Sequence, residues 1–178
     1  MSLTSGFTQV CDIDCSGGVL NVAVMDKADL ASVTYDTTKT EVTAMTVVSG
    51  SGKGFRRIVL DIEKVAYSGT ETKNDANCGY SATAEVTLTV DCAPSAFTIF
   101  VEELKALCCS GLVVAVETAS GTRLLGIRDG EKTKVQTVTD TVEQNYDGRN
   151  DTALVLMHKG RRSPAFWDDA FADLPFAS

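Results

Sequence analysis

The chain has 178 residues, 44% of them hydrophobic and 22% charged, with a formal net charge of −8. That length suits one domain with a real core, and that charge argues against a general nucleic-acid binder, which needs a basic surface. The opening "MSLTSGFTQVCDIDC" has neither the basic nor the apolar region of a secretory leader, and no apolar run approaches a membrane span. The expectation is therefore a chain made and kept in a cytoplasm.

Taken in order, residues 1–17 read as an N-terminal arm. Cys11 and Cys15 within it are spaced C-x3-C, half of a zinc pattern whose second half is not evident. The six cysteines are expected to be free thiols, because no secretory context favours disulfides. "GVLNVAVM" (18–25) reads as a short apolar strand. "DKADLASV" (26–33) reads as a helical turn capped by Asp26. "TEVTAMTVV" (40–48) is rich in Thr and Val and suits a strand.

"SGSGKG" (49–54) has the glycines and lysine of a phosphate loop. A P-loop needs a glycine at position 47 and a hydroxyl residue after the lysine, and this chain has Val47 and Gly54. "FRRIVLDIEKVAYSG" (55–69) follows and reads as strand, so no helix N-terminus is there to hold a phosphate. The stretch is a strand connection carrying Lys53, Arg56 and Arg57, a small basic patch suited to an acidic neighbouring subunit.

"GTETKNDANCG" (69–79) reads as a long polar loop. "YSATAEVTLTVDC" (80–92) alternates without a break, with Ala82, Ala84, Val86, Leu88 and Val90 on one face. "APSAFTIFVEELKALCCSG" (93–111) is the one clear helix. Phe97, Phe100, Val101, Leu104, Leu107 and Cys108 make a single apolar stripe. Two hairpins follow, 112–117 with 122–127 and 134–144 with 151–160. A faint likeness between 64–90 and 134–160 needs no more than shared hairpin physics. The tail from 167 to 178 is aromatic and acidic and too short for a core of its own.

The sum is a mainly β domain over 18–166, a β-sandwich or β-barrel with one long flanking helix. No nucleophile elbow is present, and the only histidine, His158, shares an apolar strand face with Leu154 and Leu156, where it reads as packed rather than catalytic. No catalytic, cofactor or metal site is assigned, and the chain does not read as an enzyme.

The order of these features resembles the virion proteins of tailed bacteriophages, in particular the tail tube family. The features are an arm "TQVCDIDCSGGVLNVAVMDKADL", the mid-chain helix, a strand pair with "ETASGTRLLG", and a "TVTDTVEQNYDGRNDTALVLMHKG" hairpin ending near "SPAF". The resemblance spans most of residues 8–166, and the extension from Trp167 lies outside it. It implies stacked hexameric rings of this chain, contacts with other virion proteins, assembly in a host bacterial cytoplasm, and a lumen through which double-stranded DNA passes non-specifically. An acidic balance would let DNA slide, since it releases no counterions from the phosphates. The residues chosen as inter-subunit contacts are Lys53, Arg56, Arg57, Phe166, Trp167 and Phe171, with the 69–79 loop beside them. The alternatives are another virion part (head–tail connector, tail terminator or capsid decoration protein) or a β-sandwich that binds carbohydrate or a host surface. For the tail, the competing expectation is packing back onto its own domain.

Overall fold

The computed structural model describes residues 18–60, 64–74, 79–107, 109–142 and 150–177. The expected arm at 1–17, with Cys11 and Cys15, lies outside them, as do 75–78 of the polar loop, Cys108 and residues 143–149 with the turn of the second hairpin.

The described residues are mainly β, an eleven-stranded mixed sheet with a single α-helix. The strands in chain order are β1 (Val19–Asp26), β2 (Leu30–Tyr35), β3 (Glu41–Val47), β4 (Arg56–Ile58), β5 (Val65–Asn74) and β6 (Gly79–Asp91). The helix α1 (Ser95–Ala106) comes next, followed by β7 (Leu112–Thr118), β8 (Gly121–Leu125), β9 (Lys132–Val142), β10 (Asn150–Gly160) and β11 (Ala165–Trp167).

β1 and β7 pair antiparallel at the centre, Ala23 opposite Ala115 and Val24 opposite Val114. Side chains alternate across a strand, so each of these strands feeds two cores. Val22, Val24, Leu112, Val114 and Val116 enter the first core, while Ala23, Met25, Val113 and Ala115 enter the second. This explains the unbroken apolar run "LVVAV" at 112–116, which a strand wet on one face does not need.

The first core is closed by the four-stranded antiparallel run β9-β10-β6-β5, which curls until β5 lies beside β1. Its inward residues are Ala84, Val86 and Leu88 of β6 and Leu154 and Leu156 of β10. The expected alternation of β6 is therefore observed with its polar partners outward. Val101 and Leu104 of α1 are buried in this core, with Phe97, Phe100 and Leu107 packed around them. Each fully buried aliphatic side chain contributes roughly 1.5–3 kcal/mol, so the stripe fixes the helix to the sheet.

The second core is closed by β3, β8 and β11 and by the residues after them. β11 is parallel to β3 and antiparallel to β8. Trp167, Phe171 and Leu174 are buried there. The boundary expected at 166/167 has no counterpart in the packing: the tail supplies a strand and the lid of a core, because its aromatics bury more area than the polar residues beside them can oppose.

Three other expectations differ from the structure. The one strand expected over 55–69 is instead two, β4 and β5, with residues 59–60 in neither and 61–63 outside the described residues. Only Lys27–Asp29 forms a helical turn, capped as expected by Asp26, whose carboxylate accepts the Ala28 N–H at 2.9 Å; from Leu30 the chain is strand. The region 69–74 is strand rather than loop, with Gly69 opposite Ala84 and Thr72 opposite Ser81. Its alternating threonines suit a ladder better than their polarity suggests.

One glycine makes the double core possible. β8 and β9 both lie on the same edge of β7, β8 along 114–118 and β9 only at Thr133 opposite Leu112. The chain must leave the edge between them, and it does so at Gly126, φ +75°. A Cβ there would sit 2.4 Å from the Leu112 carbonyl oxygen, so no larger residue fits.

Candidate functional site

Two of the expected contact regions meet each other. Phe55, directly after "SGSGKG", forms a parallel bridge with Phe176. Its N–H donates to the Pro175 carbonyl, and its own carbonyl accepts from the Ala177 N–H, each at 2.9 Å. Gly54 (φ +119°) lies so close that a Cβ would be 2.4 Å from the Pro175 oxygen. The Arg57 guanidinium stands over the rings of Phe171 and Phe176, at 5.3 and 5.6 Å from their centroids. The loop is thus the seat of the tail.

The other expected residues are placed as follows. Lys53 donates to buried Asp29 at 2.5 Å, and that carboxylate raises its pKa. With its ammonium spent on Asp29, and with β4 rather than a helix after it, the "SGSGKG" loop has no phosphate-holding geometry. Arg56 is exposed and, among the described residues, reaches the Gly52 carbonyl alone, at 3.4 Å. Trp167 is 8% exposed, with its indole N–H donated to the Ala170 carbonyl at 3.1 Å, and Phe171 is 2% exposed. Both aromatic side chains are committed to the chain's own core, as the competing expectation for the tail had it. Phe166 points to the opposite side of β11 and carries the Arg123 guanidinium 4.3 Å above its ring.

Phe166 opens onto a feature not anticipated from the sequence. A cavity of about 790 Å³ is lined by Lys39, Arg123, Arg128, Arg161 and Arg162, with Glu71 as the one carboxylate among the described residues. Arg128 pins two of its walls together, donating to the Ser163 carbonyl at 2.5 Å and to the Lys39 carbonyl at 2.9 Å. Its Nε is buried without a partner. Glu71 accepts the Ser163 hydroxyl. The "RR" at 161–162 was the only local sign of this site. Its other cations come from turns and strands far apart in the chain.

Behind the cavity lies a buried polar knot. The Lys27 ammonium donates to the carbonyls of Gly126, Arg128 and Glu131 at 2.8, 2.6 and 2.5 Å, and burial lowers its pKa. His158 is fully buried, 3.6 Å from the Glu131 carboxylate. Burial, then the positive charges of Arg128 and Lys27, push its pKa down to about 4. A neutral, enclosed imidazole without a cleft holds structure and offers no base to a substrate.

The outward face of β9-β10-β6-β5 is a further broad surface. Thr83, Glu85, Thr87 and Thr89 of β6 lie opposite Lys159, Met157, Val155 and Ala153 of β10. On the other side, Thr83 and Glu85 face Thr70 and Ser68 of β5. Both flanks of this sheet are open among the described residues: β5 pairs only with β6, and β9 beyond Thr133 pairs only with β10.

Among the described residues no group of His, Cys, Asp and Glu could hold a metal ion, and no helix is long and apolar enough to cross a membrane. No protein-family model, curated protein or solved structure matches the chain.

Proposed function

We propose that the chain is a structural subunit of a bacteriophage virion, a tail tube protein whose copies join edge to edge into stacked hexameric rings. One observation carries this reading: the sheet β9-β10-β6-β5 ends in two long open edges, β5 and the outer part of β9. Unpaired strand edges are templates for pairing with another chain. An edge that joins a different edge is a heterologous contact, and such contacts close into rings when the rotation allows.

In such a ring the threonine-rich outward face of the sheet becomes a continuous wall. Small hydroxyl side chains give a smooth polar surface, and the net charge of −8 limits phosphate capture, so DNA passes without sticking. The Lys53–Asp29 pair and the Arg57 stack hold the loop and tail within one subunit, which leaves exposed Arg56 and half-buried Phe166 as the members of the expected contact set outside that packing.

Negative-stain electron microscopy of the purified chain across a concentration series, with light scattering, tests this. Rings that stack into tubes of uniform width are expected. Single rings that never stack would instead indicate a terminator or connector. A chain that stays monomeric at high concentration, with or without nucleating tail proteins, overturns the reading.

A further inference from the structure

The cavity beside Phe166 concentrates positive charge in a chain that is acidic overall. Among the described residues its lining holds five cations against one carboxylate, a balance of +4 within a protein of −8. Among the described residues none of these five cations forms an ion pair, and Glu71 is engaged by the Ser163 hydroxyl. Like charges gathered in a concave site repel one another and focus a positive potential there. An anion seated there would relieve that repulsion.

Two of the arginines are held in place before any ligand arrives. Arg123 is stacked between Phe166, at 4.3 Å, and Tyr67, at 5.8 Å. Arg128 is fixed by two backbone carbonyls. Arg161 and Arg162 are exposed on the turn after β10, and Lys39 is exposed on the turn before β3. Preorganised guanidinium groups lose little freedom when they take an oxyanion, and their forked donors match phosphate and carboxylate oxygens. The volume is that of a small-molecule site.

We propose that this cavity binds a small polyanion, a molecule with two or more clustered oxyanion groups such as a di- or triphosphate or a polycarboxylate. Arg123, Arg161, Arg162 and Lys39 supply the donors, and Arg128 is the positioning residue that holds the walls together. The site is complete within one chain, so it stands or falls independently of ring formation.

Isothermal titration calorimetry and thermal melting of the full chain with inorganic triphosphate, and separately with citrate, at fixed ionic strength test the proposal. Saturable one-to-one binding and a raised melting midpoint are expected with at least one of them. The tighter ligand assigns phosphate or carboxylate chemistry. Arg161→Ser/Arg162→Ser should weaken binding by about tenfold or more, since charge-assisted contacts are lost. Lys134→Ser/Lys159→Ser removes the same charge from the outward sheet face and should bind as the parent does. If the arginine variant melts differently from the parent, Lys39→Ser takes its place. Absence of binding to both anions overturns the proposal, as does equal weakening by both double variants. Loss of self-association in the arginine variant, without anion binding by the parent, also overturns it and makes the cavity the seat of an acidic neighbouring subunit. Binding only to a DNA duplex, with a steep salt dependence, overturns it in favour of a nucleic-acid contact.

Discussion

The Lys27 ammonium lies 2.8 Å from the carbonyl oxygen of Gly126, 99 positions along the chain. All of its donors go to carbonyls of the turn that separates β8 from β9. That turn is where the sheet divides around its two cores, so a lysine near the end of β1 holds the division in place. Lys27→Met keeps the stem and leaves the carbonyls without their shared donor. The expected loss is about 2–3 kcal/mol, read as a lower urea midpoint with an unchanged slope.

Gly126→Ala is expected to cost more. The new Cβ meets the Leu112 carbonyl oxygen at 2.4 Å and the Thr133 amide nitrogen at 3.0 Å, on a backbone already at φ +75°. Neither neighbour is a flexible side-chain end, so β9 must shift from β7. A loss of about 3 kcal/mol or more is expected. A melting temperature within a degree or two of the parent would show that the junction is more yielding than its geometry.

The pH dependence of stability should carry the signature of one group. His158 is the only histidine in the chain, and its pKa falls from 6.5 to about 4 on folding. The unfolded chain therefore binds the extra proton between those values. Stability from this group is complete above pH 6.5 and is lost as pH falls towards 4, by at most about 3 kcal/mol. His158→Gln should flatten the curve between pH 6.5 and 5, a range that few carboxylates disturb. Asp36, held down to about 2 by the Thr38 hydroxyl and the backbone N–H groups around it, adds stability that is present above its ordinary 3.8 and is lost only in the more acid window between 3.8 and 2.

The tail should behave as core. Trp167 is the only tryptophan and is nearly enclosed, so native fluorescence is expected to be blue-shifted. Trp167→Ala should cost about 3–5 kcal/mol, a large share of the stability of a domain this size. Arg57→Ala removes the cation over Phe171 and Phe176 and should cost about 1 kcal/mol, with faster proteolysis after residue 170 than in the parent. Equal cleavage rates would show that the loop does not seat the tail.

Much of the fold was legible in single segments. The alternation of 80–92, the apolar stripe of Phe97, Val101 and Leu104 and the hairpin of 112–117 with 122–127 are local patterns. A local pattern determines which face of an element turns inward. The net charge and the failure of "SGSGKG" as a phosphate loop are equally properties of the sequence alone. The tertiary structure decided what no window contains. The strands after Pro164 and at 30–35 are short and unremarkable by themselves, and they form because edges of β3 and β8 are there to pair with them. Arg57 meets Phe171 and Phe176, and Arg123 shares a cavity with Lys39 and Arg161, through the threading of β11 between β3 and β8. The sequence could assign each charge and each aromatic ring a preference for water or burial, but their neighbours are set by long-range strand pairing, whose energy is spread over the whole sheet.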